Sequence, residues 1–151
     1  MTDREFWRLI SKIDGAALRA GDDDVAVRPL QAALENLGTK ELEAFEDLLS
    51  VKLRDLDGEK FAQEAGESSQ SDDGFLYARC YVVASGREHH EAVRSDPRRM
   101  PKSMEQHCEA LLSVHRRAWA EATGRDESQW EHVPNVSYES CSNKELWPSR
   151  R

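Results

Sequence analysis

Leu42, Phe45, Leu49, Leu53 and Leu56 recur at steps of three or four residues in a run free of glycine and proline from Thr39 to Asp57. At the helical repeat these side chains fall on one stripe, while Glu41, Glu43, Glu46 and Asp47 read as off it. A long amphipathic helix must be covered by other apolar faces, and the chain before it supplies helical patterns. Thr2-Asp3-Arg4-Glu5 is a capping box that predicts a helix with Phe6, Ile10, Ile13 and Ala17 on one face, Trp7 at its edge and Gly21 as its stop. Asp22-Asp23-Asp24 then reads as a loop and helix start, because carboxylates favour the positive end of the helix dipole. Val27, Leu30, Leu34 and Leu37 make the next stripe, with Pro29 in its first turn, Gly38 at its end and Thr39 capping the long helix.

Beyond the Asp57-Gly58 break, Phe61, Ala62 and Ala65 anchor a short helix that stops at Gly66. Ser71 caps a further helix with Asp72 and Asp73 in its first turn, Leu76, Cys80 and Val83 on one face and Phe75, Arg79 and Val82 flanking it. Gly86 marks a break, and Asp96-Pro97 and Met100-Pro101 interrupt helix because the residue before proline is pushed from helical geometry. Ser103-Met104-Glu105-Gln106 reads as a second capping box, starting a long helix that carries Cys108, Leu111, Leu112, His115 and Trp119 and closes at Thr123-Gly124. The remainder has no long periodic run, only a turn of helix at Ser142–Glu145, with Trp130 and Trp147 as anchors. Tyr81-Val82-Val83-Ala84 is the best strand candidate, but it continues the stripe begun at Leu76. The expected fold is all-α: a compact single-domain bundle of about six or seven helices over residues 1–124, with 125–151 as an irregular tail packed on the same domain.

Composition narrows the function classes. The 151 residues are 33% charged and carry a formal net charge of -8. Nucleic acid is bound mainly by clustered Lys and Arg, so this excess of acid argues against it as a partner. No run of about 18 apolar residues exists to span a membrane, and the N-terminus lacks a basic segment followed by an apolar one. Cys80, Cys108 and Cys141 are odd in number and widely spaced, which reads as three free thiols in a reducing cytoplasm.

Several segments together resemble the bacterial domain-of-unknown-function family 4240. They are Phe6-Trp7-Arg8-Leu9-Ile10, Glu43-Ala44-Phe45-Glu46, Ser71-Asp72-Asp73-Gly74-Phe75-Leu76-Tyr77-Ala78-Arg79, Ser85-Gly86-Arg87 and Glu91-Ala92-Val93, with the Asp96-Pro97 break, Thr123-Gly124 and Leu146-Trp147. The Ser-Asp-Asp-Gly-Phe run is the most specific part. The resemblance implies a compact helical domain and brings no activity with it.

The candidate ligand- or partner-binding residues are Trp7, Asp72, Asp73, Tyr77 and Arg79. Two acids at a helix start, with Arg79 about two turns on, can hold a cation, a basic partner or an anion; the plainer account is that they cap the helix and pair internally. His89, His90, Cys108 and His115 lack metal-site spacing, and neither a nucleophile elbow nor a phosphate loop occurs, so no catalytic residue, metal or cofactor is assigned. Charge is divided along the chain: residues 1–73 hold 18 acids and 9 bases, whereas 87–125 hold 6 acids and 8 bases. Arg94, Arg98, Arg99 and Lys102, with Arg116 and Arg117, are candidates for one basic patch or for separate solvated positions. The leading expectation is a non-catalytic protein-interaction module, a regulatory adaptor or immunity-type inhibitor, whose acidic N-terminal half meets a basic protein partner. The alternative is a small-molecule-binding protein or enzyme with a cleft near Trp7, Asp72, Asp73, Tyr77 and Arg79.

Overall fold

The computed structural model describes residues 1–148; positions 149–151 of the expected tail lie outside the described residues. Among the described residues the fold is all-helical, without strands. Its α-helices are α1 (Asp3–Ile10), α2 (Gly15–Arg19), α3 (Asp23–Ala26), α4 (Arg28–Leu34), α5 (Thr39–Arg54), α6 (Glu59–Gln63), α7 (Asp72–Ala84), α8 (Arg87–Ser95) and α9 (Val114–Thr123). Three of them, α2, α3 and α6, are no longer than five residues. Short 3-10 turns at Gly66–Gln70, Pro97–Arg99, Glu109–Leu112 and Glu127–Gln129 fill the connections.

The stripe on α5 is buried from Leu42 to Leu56, and it meets α1, α7 and α9. Phe45 packs on Phe6 with ring centroids 5.2 Å apart. Most of the interior is one cluster that includes Phe6, Ile10, Leu30, Leu34, Phe45, Leu111 and Trp119. A second cluster gathers Leu56, Phe61, Phe75, Val82, Val93, Met100 and Trp147. Helix α7 serves both, giving Leu76, Cys80 and Val83 to the first and Phe75, Ala78 and Val82 to the second. Both its faces are therefore covered, and Arg79, expected at the flank, is fully buried.

Local expectations fail where a tertiary acceptor outcompetes the helix. The first helix ends at Ile10: the Asp14 amide donates to the distant Ala26 carbonyl at 2.9 Å, and the Asp14 side chain then accepts from the amides of Ala16 and Ala17 and starts α2, whose buried residue is Leu18. Gly38 occupies the N-cap of α5 and Thr39 is its first helical residue. The predicted helix from Ser103 is absent, although Gln106 Oε1 does accept from the Ser103 amide. The Cys108 amide donates to the Tyr77 carbonyl of α7, and that of Ala110 donates to the Asp23 carboxylate at 2.9 Å. These bonds hold the segment as loop and 3-10 turn, and α9 begins only at Val114. The expected turn at Ser142–Glu145 closes slightly later, where the Leu146 and Trp147 amides donate to Asn143 O.

The tail is fastened to the helices by two buried charges. Asp57, which is 0% exposed, accepts from the amides of Cys141, Ser142 and Asn143 at 2.9 Å each and from Trp147 Nε1 at 2.7 Å. Arg79 donates to Leu53 O at 3.1 Å, Tyr138 O at 2.9 Å and Ser140 Oγ at 2.9 Å. Replacing Asp57 by alanine strands four donors and removes the negative charge that acts most strongly on the buried Arg79. Asp57→Ala should lower unfolding free energy by about 3–5 kcal/mol in urea titrations and abolish hydrogen-exchange protection at 141–147.

Candidate functional site

The five residues singled out by sequence are placed apart in role. Trp7 is buried in the core, 5.3 Å from the His90 ring, with Lys52 Nζ 5.8 Å from its centroid. Asp72 and Asp73 are exposed in the first turn of α7 behind the Ser71 cap, which accepts from the Gly74 amide. Tyr77 donates to Glu109 at 3.2 Å. Arg79 is committed to the tail, with its guanidinium 4.7 Å from the Phe75 ring centroid. Of the five, Asp72 alone lines a described cavity, beside Phe75 and Trp147.

A site that local reading missed lies between α5, α9 and the tail. Glu46, on α5, is 7% exposed; its Oε2 accepts from His115 Nε2 at 2.6 Å and its Oε1 from Trp130 Nε1 at 3.1 Å. Burial pushes the Glu46 carboxyl up, but the His115 hydrogen bond and charge, with help from Trp130 and His132, outweigh it and hold the group below its ordinary value. His132 extends the network, with Nε2 2.9 Å from Asp47 Oδ1 and Nδ1 3.5 Å from Glu43 Oε2. Glu46 also borders a 360 Å³ cavity with Arg116, Trp130, His132 and Tyr138. A helical-wheel signal existed: at the helical repeat Glu46 lies only about 20° from Leu53, inside the edge of the apolar stripe.

The acidic half presents a groove of its own. Met1 and Leu9, from the N-terminal segment and α1, face Leu37 and Glu41 across a 450 Å³ space that Glu5 and Arg8 also border. Glu5 completes the capping box with Thr2, whose amide hydrogen bond holds the Glu5 carboxyl below its ordinary value. Glu5 and Glu41 are both exposed.

The six bases proposed as one patch are largely paired locally. Arg98 meets Asp96 at 2.9 Å, Lys102 meets Glu64 at 3.4 Å, Arg117 meets Asp24 at 3.4 Å and Arg94 reaches Asp55 at 4.0 Å. Arg116 borders the Glu46 cavity, and only Arg99 and Lys102 share a lining.

Comparison of the whole chain with protein families matches residues 1–139 to the family described as "Protein of unknown function (DUF4240)". The chain belongs to the DUF4240 family. No curated protein and no solved structure matches it. The DUF4240 match contains the nine α-helices of the described residues and the Glu46 network, and it ends before Cys141–Trp147, the segment that closes on Asp57. None of the helices of this DUF4240 chain, among the described residues, is long and apolar enough to cross a membrane.

The Glu46 network carries a pH signature. Its folded-state value lies below the 4.5 of an unperturbed glutamate, so the stabilisation is present above that pH and is lost as pH falls through the folded value. Glu46→Gln should cost about 2 kcal/mol at neutral pH and flatten the acid limb of a melting-temperature profile. A profile identical to wild type would show that Glu46 contributes no linkage.

Proposed function

We propose that this DUF4240 protein is a non-catalytic protein-interaction module, an adaptor or inhibitor, whose acidic N-terminal half receives a basic segment of a partner. The observation that carries the reading is the groove between α1 and the start of α5: an apolar floor of Leu9 and Leu37, beside the 38% exposed Met1, with Glu5 and Glu41 at a rim that the exposed Arg8 also joins. An apolar centre excludes water and a charged rim steers the approach, which is the division of labour found in protein interfaces. Exposed Asp14 and Asp22, which make no ion pair among the described residues, extend the negative field of the same half of the chain.

This reading is preferred to a small-molecule cleft around Trp7, Asp72, Asp73, Tyr77 and Arg79. Trp7 and Arg79 are sequestered in the interior and Tyr77 is engaged by Glu109. What remains exposed is a pair of acids at a capped helix start, where the dipole already stabilises them.

Affinity capture from the native host, at low and at high salt, tests the proposal. A partner should be retained at low ionic strength and released as salt screens the rim. Leu37→Asp and Glu41→Lys should each weaken capture about tenfold or more, whereas Glu121→Lys, an exposed acid on α9 outside the groove, should leave it unchanged. Capture indifferent to the groove substitutions, or none at low salt, would refute the assignment.

A further inference from the structure

The largest cavity described lies elsewhere and has the opposite character. A cleft of 670 Å³ runs between the α1–α2 corner, the C-terminal end of α7, the start of α8 and the loop from Arg99 to Gln106. Its floor is apolar: Ile10, Leu18, Tyr81 and Met100 are each no more than 8% exposed. Arg19, His89, Arg99 and Lys102 contribute its ionisable groups besides Tyr81, and no aspartate or glutamate lines it. In a chain with 29 acids this is a marked exclusion, since four smaller cavities each carry two carboxylates.

The two arginines are uncommitted. Among the described residues neither Arg19 nor Arg99 makes an ion pair, although Arg98, next in sequence, is closed on Asp96 by two hydrogen bonds. Lys102 is partly neutralised through Glu64. The Arg19 guanidinium folds over Gly15, where a Cβ would meet its Nη1 at 3.0 Å. Burial and the charge of Arg99 lower the His89 value, so this imidazole enters the cleft neutral and able to donate or accept one hydrogen bond.

The walls are built before any ligand arrives. Lys102 O accepts from the Glu67 amide at 3.2 Å, and Gly66, at φ 58°, lets that carbonyl approach to where a Cβ would stand 2.5 Å away. Ser85 Oγ is tied to Tyr81 O at 2.7 Å. A preformed concavity of roughly 300–1,000 Å³ with an apolar base and a few convergent polar groups has the size and composition of a small-molecule site.

We infer that this cleft binds a small organic anion, its carboxylate or phosphate held by Arg19 and Arg99 and its apolar body laid on Ile10, Leu18, Tyr81 and Met100. Guanidinium groups suit this task because their planar fork matches both oxyanions, and the absence of competing carboxylates leaves the fork open. The site shares no lining residue with the acidic groove, so either assignment can fail alone.

The test is a titration of the full chain, followed by amide nuclear magnetic resonance, with 1-naphthyl phosphate, 1-naphthoate and the neutral 1-naphthylmethanol. At least one of the anions should move the amides of Gly15, Ser85, Gly86 and Lys102, and the neutral analogue should bind about tenfold or more weakly. Arg19→Gln and Arg99→Gln should each weaken anion binding about tenfold with unchanged melting temperature, while Arg98→Gln should not alter it. Because Arg19 and Arg99 are exposed and unpaired, these variants leave folding intact. The inference is overturned if the neutral compound binds equally well, if the shifts fall elsewhere, if neither anion binds, or if the arginine variants bind as wild type. Tighter binding of oligothymidylate to the same amides would overturn it in favour of nucleic acid.

Discussion

The buried Asp57 carboxylate is the constraint around which the second half of the chain is arranged. An ionised group in an interior is tolerated only when its lone pairs are filled and a counter-charge is near. Asp57 meets both conditions through three successive amides and an indole from residues 141–147, with the Arg79 charge acting on it from α7. Successive amides converge on one anion only where the backbone alternates in hand, and Cys141 accordingly sits at φ 70°, in the left-handed region. The strain at that residue is offset by the bonds it permits.

Arg79 completes the arrangement from the other side. Burial lowers its value, with the Asp57 charge acting in the opposite sense, and its donors reach two backbone carbonyls and one hydroxyl. One of those carbonyls, Leu53 O, belongs to the last turn of α5, so a single side chain joins α5, α7 and the tail. Trp147, set edge-on to Phe75 at 6.1 Å, then closes the second apolar cluster. The tail is thus a structural wall of the domain, and α7 becomes a helix with no solvent face in its middle. The acidic groove and the basic cleft accordingly lie on α1, α2, α5 and the C-terminal end of α7.

What the sequence disclosed and concealed follows from the range of each interaction. The α5 stripe, the Ser71 cap and the Gly124 stop depend on residues within a turn or two, and all were legible. The break at Ser11 and the missing helix after Ser103 depend on a choice between local and distant acceptors, which periodicity does not register. Asp57 was opaque because its donors lie 84 to 90 residues away. Glu46 and Arg79 were half-legible: both lie at the edge of apolar stripes, and a charged residue there is a candidate for burial whenever a partner such as His115 or the tail can satisfy it. Of the nominated site, the capping role of Ser71 was readable; the burial of Trp7 and the engagement of Tyr77 by Glu109 required the fold.

Net charge proved a poor guide to any single concavity. A formal charge of -8 averages over a surface, whereas a bound ion feels mainly the groups within a Debye length, about 8 Å at physiological ionic strength. Within that radius an acidic domain can hold a basic cleft if its carboxylates are tied up or directed elsewhere. Here Asp96 is taken by Arg98, Glu64 by Lys102 and Asp23 by the Ala110 amide, while Glu105, within the loop itself, lies outside the cleft lining. Among the described residues Arg99, of the expected six-residue basic patch, makes no ion pair, and neither does Arg19, which lines the same cleft. A groove rimmed by Glu5 and Glu41 and a cleft lined by Arg19 and Arg99 can share a small domain because screening and local pairing keep their fields apart.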